Sequence, residues 1–214
     1  MPAEVADVSG QRPPPVALER GLAVLAAGAV LGVPTDTVYG LAANPFLPGA
    51  TEALFAVKGR PRSVELPVLV ADQAQAATLG GVLPVAARAL MDLFWPGALT
   101  IVVARRRNVG LHLGGDDGTV GLSCPAQPVP LALLRRGGPM ATNSDNAHGG
   151  EPATTAAEVA RLPGVTLVLD AGRCPARPST VVDCTTDRTV LLREGTIPWS
   201  EIEAACGPLA PRRP

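Results

Sequence analysis

The 214-residue chain carries a formal net charge of −1 and only 3% aromatic residues, so its core must consist mainly of aliphatic side chains. The near-neutral charge excludes a global basic field, and RNA binding would therefore need a local basic patch. No apolar run reaches the roughly 18 residues that a membrane helix needs, and the acidic, proline-rich N-terminus does not resemble a signal peptide. We expect a cytoplasmic protein without a membrane segment.

The hydrophobic pattern divides the chain into alternating helices and strands between two tails. Residues 1–15 are predicted to be a disordered tail, residues 16–207 one domain, and residues 208–214 a second disordered tail. Helices are predicted at 16–27, 50–57, 84–94, 128–136, 155–162 and 198–206. Strands are predicted at 29–33, 66–71, 99–104, 119–124, 165–170, 180–184 and 189–193. This alternation predicts an α/β fold, and the short turn at 184–189 indicates a mixed sheet.

Polar side chains cluster directly after the predicted strand 29–33, in the segment PTDTVYGLAANP. Thr35, Asp36, Thr37 and Tyr39 bring hydroxyl or carboxylate groups to the end of that strand. Such groups at the carboxyl end of a strand in an α/β protein predict a pocket. The alternative is a polar loop in which threonine and aspartate cap the next element.

A second cluster is cationic and follows the predicted helix 50–57. It contains Lys58, Arg60 and Arg62, and Lys58 is the only lysine among the 18 lysine and arginine residues. Cations arranged around a glycine suit several phosphate oxygens, with lysine acting as a point charge and arginine as a fork. The alternative is a cationic helix C-terminus that the helix dipole favours.

Two later segments are weaker candidates. Asn143 to Asn146, with Gly149 and Gly150, places short polar groups before a predicted helix, where backbone N–H groups can bind an anion; an ordinary capped loop explains it as well. The segment is not a Walker A sequence. Ser179 stands at a strand start with Arg193 further along the chain. No GxSxG elbow supports acyl-enzyme chemistry.

The cysteines predict free thiols instead of a metal site. There is no CxxC pair, and His112 and His148 are the only histidines that could assist. We expect both histidines to be exposed. We expect buried thiols at the cysteines, which are Cys124, Cys174, Cys184 and Cys206.

Taken in this order, the segments resemble the YrdC/Sua5 family of threonylcarbamoyl-adenylate synthases. The matching segments are PTDTVYGLAANP, LFAVKGRP, FWPGALTIVV, Ser-x-Asn at Ser144 and Asn146, PATTAAEV, STVVD and LLREG. Each motif alone is weak, but the ordered set spans residues 16 to about 206 and resembles the single-domain form.

The resemblance implies a twisted open mixed α/β sheet with helices on both sides and a concave cationic cavity. It also implies a nucleotidyltransferase that joins L-threonine, bicarbonate and ATP, accompanied by Mg²⁺, into threonylcarbamoyl-AMP and pyrophosphate. The product would serve t6A37 modification of tRNA, which implies tRNA or a threonylcarbamoyl-transferase complex as a partner.

By the same resemblance, site residues carry over position by position. The ATP-binding positions are Lys58, Arg60, Thr119, Asn146, Thr154 and Arg193. The threonine-binding positions are Thr37, Ser123, Ser144 and Ser179. Lys58 and Arg60 would also be the catalytic residues, and the family implies no metal ligands in the protein.

One departure concerns the amino-acid side of the site. Ser123 stands where the family has an arginine for the substrate carboxylate, and a hydroxyl cannot replace a bidentate guanidinium. An alternative is therefore a related enzyme with another acceptor amine or carbamoyl donor. A further alternative is a non-catalytic RNA-binding protein of the same fold, with its basic patch at 105–107 and 135–136.

Overall fold

The computed structural model describes residues 2–10, 12–58, 62–115, 118–143, 153–186 and 188–206, without the side chains of Lys58 and Cys206. In these ranges, ten strands form one sheet and seven helices pack around it. The strands are β1 (Glu4–Asp7), β2 (Val30–Val33), β3 (Gly40–Ala43), β4 (Val68–Leu69), β5 (Leu99–Ala104), β6 (Thr119–Ser123), β7 (Met140–Asn143), β8 (Val165–Asp170), β9 (Thr180–Asp183) and β10 (Val190–Arg193). The helices are α1 (Pro15–Ala26), α2 (Ala50–Lys58), α3 (Gln73–Leu79), α4 (Val85–Phe94), α5 (Pro128–Gly137), α6 (Ala156–Ala160) and α7 (Trp199–Cys206).

The sheet is mixed, as the sequence predicted. Its strand order is β1-β8-β2-β3-β7-β4-β6-β5-β9-β10. The parallel pairs are β1–β8, β2–β8, β4–β6 and β5–β9, and the remaining neighbours are antiparallel. None of the described helices combines the length and apolarity that crossing a membrane requires.

The prediction of a disordered tail at residues 1–15 is wrong for residues 4–8. Glu4–Asp7 forms the edge strand β1 and pairs in parallel with β8. Val8, which follows the strand, is only 1% exposed and joins the core. The strand is short and mostly exposed, so its own residues carry little pattern. The backbone hydrogen bonds that β8 offers at the sheet edge stabilise it.

Three further elements lie where the sequence pattern indicated none. Strands β3 and β7 fall inside segments whose composition predicts loops, and helix α3 falls in a segment without a prediction. Both strands are central and buried along their whole length, so they show no polar–apolar alternation. Strand β4 is shorter than the predicted strand 66–71.

Helices cover the sheet on both faces. On one face, α2, α4 and α7 contribute Leu54, Leu90 and Ile202 to a cluster that includes Leu122 of β6. On the other face, α1 and α5 bury leucines against β2 and β8, the leucines being Leu18, Leu25, Leu133, Leu31 and Leu167. Where this second face continues over β6, β5 and β9, it lines a cavity instead of packing against those two helices.

Candidate functional site

A cavity of about 350 Å³ opens on this face of the sheet. Its walls come from the segment 35–37, from β5 and β6, and from the residues at the start of β9 and the end of β10. Segments more than a hundred residues apart in the chain therefore meet at one place. Such a concave site with convergent polar groups is the form that small-molecule sites take.

Strand alternation decides which side chains reach the cavity. In β6, Thr119, Gly121 and Ser123 line the cavity, whereas Val120 and Leu122 point to the core and are fully buried. The same period of two places polar and apolar residues on opposite faces of the sheet. The predicted strand at 119–124 therefore carries two of the predicted site residues on its cavity side.

Four polar side chains form a continuous hydrogen-bonded chain on the cavity floor. The Oγ1 atom of Thr100 lies 2.7 Å from Oγ of Ser123 and 3.1 Å from Oγ of Ser179. Arg193 donates from Nη2 to Oγ of Ser179 and from Nε to the carbonyl oxygen of the same residue, both at 3.1 Å. The guanidinium is thus held by two parallel bonds at one end of the chain of hydroxyls.

The segment 35–37 forms a second polar wall. The Oγ1 atom of Thr35 donates to the carbonyl oxygen of Val38 at 2.6 Å and lies 3.0 Å from Oγ1 of Thr37. Because a hydroxyl has one proton, Thr37 must be the donor in the second bond. The Oγ1 atom of Thr37 therefore offers lone pairs to a ligand and acts as an acceptor.

Asp36 fixes this segment to the chain that follows β6. Its Oδ2 accepts a hydrogen bond from the backbone N–H of Ala126 at 2.7 Å. Burial raises the pKa of this carboxyl group above its ordinary value, and the hydrogen bonds from Ala126 and Gln127 partly offset that effect. The carboxylate has a structural role in addition to lining the cavity.

Tyr39 does not reach the cavity, so that part of the pocket prediction is wrong. Its single hydroxyl proton is shared between the carbonyl oxygen of Gly172 at 2.8 Å and Oδ1 of Asp170 at 3.1 Å. The side chain is buried in the core, and burial, with the charge of Asp170 as a second cause, raises its pKa. Tyr39 therefore anchors the turn after β8.

The structure brings five of the predicted site residues to this cavity, which are Thr37, Thr119, Ser123, Ser179 and Arg193. Thr154 is not among the residues that line it. That threonine precedes α6, where its N–H donates to Glu158 and its hydroxyl accepts from Arg173. Arg60, Ser144, Asn146 and His148 lie outside the described residues, as does the side chain of Lys58.

Among the described residues, Arg193 is the cation that lines the cavity, and the acidic Asp36 and Glu65 line it as well. Arg105 lies 3.3 Å from Glu65 and lines a neighbouring cavity of about 300 Å³ together with Arg62. Arg62 in turn forms an ion pair with Glu52. The predicted cationic character of the main cavity as a whole stays a prediction, because it depends on Arg60.

The sequence interpretation missed Thr100, which touches both Ser123 and Ser179. A signal was present, since a threonine interrupts the otherwise apolar run LTIVVA of β5. Residues at alternating positions of that run, Thr100 and Val102, line the cavity, whereas Ile101 and Val103 are buried in the core.

The predictions for the thiols and for one histidine are confirmed where the structure describes them. Cys124, Cys174 and Cys184 are free and buried. Burial, followed by the charges of Asp72 and Asp36, raises the pKa of the Cys124 thiol to about 11. His112 is exposed. Among the described residues, no group of three or more acidic, histidine or cysteine side chains could hold a metal ion.

Comparisons with known proteins agree on one family. The Sua5/YciO/YrdC family model, described as telomere recombination, matches residues 23–195. A putative threonylcarbamoyl-AMP synthase of Mycobacterium tuberculosis is 39% identical over 85% of this chain and 85% of its own length. The threonylcarbamoyl-AMP synthase of Bacillus subtilis is 37% identical over 96% of this chain and 60% of its own length.

Solved structures show the same similarity. The crystal structure of P. abyssi Sua5 complexed with L-threonine superposes with a TM-score of 0.90 and 30% identity over 97% of this chain. This chain spans 62% of the length of that protein. The structure of E. coli YciO superposes with a TM-score of 0.83 and 25% identity, over 91% of this chain and 96% of its own.

Proposed function

The chain belongs to the Sua5/YciO/YrdC family, and we propose that it is a threonylcarbamoyl-AMP synthase. As a nucleotidyltransferase of this kind, it would join L-threonine, bicarbonate and ATP and release pyrophosphate. The observation that carries the proposal is the single cavity at which Thr37, Ser123, Ser179 and Arg193 meet. The similarity of the whole chain to a Sua5 structure complexed with L-threonine supports it.

On the amino-acid side, we assign Thr37, Ser123, Ser144 and Ser179 to L-threonine. The hydroxyl of Thr37 acts as an acceptor, which suits an amine or a hydroxyl of the substrate. Ser123 and Ser179 belong to the hydrogen-bonded floor described above. Holding the amino acid in one pose lets its carbamate face the phosphorus atom, and positioning of this kind is a large part of catalysis.

On the nucleotide side, we assign ATP to five residues, which are Lys58, Arg60, Thr119, Asn146 and Arg193. Thr154 is left out, because it does not line the cavity and its hydroxyl accepts from Arg173. The reaction forms a bond between a carbamate oxygen and the α-phosphorus and breaks the bond to pyrophosphate. Charge develops on the phosphate oxygens, and the cations Lys58, Arg60 and Arg193 would stabilise it. Mg²⁺ would arrive bound to the phosphates, and we assign it no protein ligand.

The product would supply the t6A37 modification of tRNA, so a complex with tRNA or with a threonylcarbamoyl transferase is part of the proposal. The alternative of a non-catalytic RNA-binding protein is less well supported. Arg105 lies close to Glu65, and Arg136 forms an ion pair with Glu19. Two of the arginines that the basic patch would need are thus partly neutralised.

Pyrophosphate release from ATP and bicarbonate, measured across a panel of amino acids, tests the proposal. We expect release that depends on L-threonine. Release that depends on another amine would favour a related enzyme with a changed acceptor. RNA binding without release, in any of these mixtures, would favour the non-catalytic alternative.

Ser123 is the position that decides between threonine and another acceptor. Its Oγ lies on the cavity floor, and Arg193 is the cation that the described residues supply there. Arg105 lies in the neighbouring cavity, in an ion pair with Glu65. A guanidinium at position 123 could bind a carboxylate with two parallel bonds. We expect Ser123→Arg to lower the KM for L-threonine by about tenfold, roughly 1.4 kcal/mol.

The matched control is Ser200→Arg, which adds the same charge at an exposed serine on α7. Pyrophosphate release against L-threonine concentration is the measurement for both variants. Strong threonine turnover by the parent, with no gain in Ser123→Arg, would show that the missing arginine is of no consequence for substrate choice.

A further inference from the structure

We propose that Thr100 is a positioning residue that links Ser123 and Ser179 into one hydrogen-bonded unit. We infer further that this unit presents one O–H donor, at Ser123, to the carboxylate of the amino-acid substrate. The identity of that substrate rests on the proposed function, whereas the unit itself does not.

Strand register explains why the three hydroxyls meet. Thr100 on β5 is the direct partner of Ser123 on β6, and cross-strand partners on one face lie within side-chain contact. On the other side of β5, Thr100 is the partner of Val181, and Ser179 precedes that residue by two positions. Ser179 and Val181 therefore point to the same face. Thr100 is 8% exposed and stands between the two serines.

Counting protons shows what this unit offers to a ligand. Three hydroxyls carry three protons, and the contacts at 2.7 Å and 3.1 Å use two of them. Arg193 can only donate, so Oγ of Ser179 accepts from it and no hydroxyl proton is used there. One proton is left, and the directions of the two bonds decide whether Ser123, Ser179 or Thr100 carries it.

The charge of Arg193 sets the direction of the unit. A hydrogen bond from a cation withdraws electrons from Oγ of Ser179, which makes that hydroxyl a better donor and a poorer acceptor. Ser179 then donates to Thr100, and Thr100 donates to Ser123. The remaining proton is on Ser123, at the end of the chain farthest from the guanidinium along these bonds.

The cavity floor and the polar wall formed by segment 35–37 thus have opposite hydrogen-bonding character. Ser123 offers a donor, whereas Thr37 offers an acceptor because its own proton is bound to Thr35. An amino acid has one end that accepts hydrogen bonds and one that donates them. The carboxylate matches Ser123 and the amine end matches Thr37, so the hydroxyls orient the substrate without a dedicated cation at position 123.

The test combines Thr100→Val, which keeps the branched shape and removes the hydroxyl, with Ser123→Ala and with the double variant. L-Threonine and L-threoninol are the probes, because the second lacks the carboxylate. We expect each single variant to weaken L-threonine binding about tenfold in calorimetry, and the double variant to lose no more than either one. L-Threoninol binding should change less than twofold.

Thr100→Ser keeps the hydroxyl and should restore L-threonine affinity to within about threefold of the parent, which a purely packing role of the threonine would not predict. The KM for L-threonine should rise in Thr100→Val while the KM for ATP and kcat stay near those of the parent. Thr78→Val, which removes an exposed hydroxyl on α3, is the matched control and should leave all of these unchanged.

Independent losses in the two single variants would overturn the link through Thr100. Equal losses for L-threoninol would overturn the assignment to a carboxylate. A parent that binds no L-threonine would refute the proposed function and the substrate carboxylate with it. In that case, urea unfolding of the same four proteins tests the hydrogen-bonded unit without any ligand. We expect the equilibrium constant of unfolding of the double variant to be about tenfold smaller than the sum of the two single losses in free energy predicts. Additive losses would overturn the hydrogen-bonded unit.

Discussion

Replacing Arg193 by alanine removes the cation that the described residues place on the main cavity. Its guanidinium donates two hydrogen bonds to Ser179, each 3.1 Å long, and keeps further N–H groups for a ligand. The variant therefore removes a charge that faces the proposed phosphate site and also releases Ser179. We expect weaker binding of ATP as the main effect and weaker binding of L-threonine as the secondary one.

The size of the effect follows from the partial burial of Arg193. Removing one charged partner from a buried ionic contact costs about 2–5 kcal/mol in binding. Arg193 is half-buried, so solvent screens part of the interaction, and we expect the lower end of that range. A loss of about 2 kcal/mol is roughly a 30-fold rise in the Kd for ATP. Arg193→Lys should lose less affinity for ATP than Arg193→Ala, since lysine keeps the charge but not the two parallel hydrogen bonds.

Calorimetric titration of ATP into the parent and the variants is the assay. Arg188→Ala is the matched control, because Arg188 is exposed near the turn between β9 and β10 and its removal changes the net charge equally. We expect its Kd to stay within about twofold of the parent, since an exposed charge is largely screened. Equal effects of the two substitutions, or unchanged affinity in Arg193→Ala, would refute the assignment.

Three further predictions concern other parts of the molecule. Lys58→Ala and Arg60→Ala should each weaken ATP binding by about 2–4 kcal/mol in calorimetry, and unchanged affinity would remove these residues from the phosphate site. Tyr39→Phe should lower the free energy of unfolding in urea by about 1 kcal/mol, because the hydrogen bonds of the hydroxyl to Gly172 and Asp170 are lost, while both KM values stay unchanged. Asp36 has a folded-state pKa raised above 3.8 by burial, so its contribution to stability is complete below that pH and is lost as the pH rises through the higher folded-state pKa. The urea stability of Asp36→Asn should therefore lack this decline, and parallel pH profiles of the two proteins would contradict the burial argument.

Strong local patterns made several elements predictable. The predicted helix at 84–94 agrees with α4, whose apolar residues repeat at helical spacing and bury Leu90 and Met91. The predicted strand at 99–104 agrees with β5. In both, the side chains that contact the core lie at the period of the element itself, so the pattern is present in the sequence before any tertiary contact forms.

Elements that depend on their neighbours could not be predicted in this way. Strand β3 begins at Gly40, and β7 ends at Asn143, both residue types that are poor in strands when considered alone. Each is paired on both sides and wholly buried, so interstrand hydrogen bonds and packing stabilise it. Edge strand β1 forms for a similar reason, since its partner β8 supplies the pairing.

By itself, the sequence determined the order of motifs, and with it the family and the set of side chains available for chemistry. Only the tertiary structure decided which of them act together. It turned Tyr39 away from the cavity and joined Thr100 to Ser123 and Ser179, although these lie 23 and 79 positions away from it. The reason is strand register. A shift of one residue in β5 would move Thr100 to the opposite face of the sheet, and no local pattern specifies which strand pairs beside it.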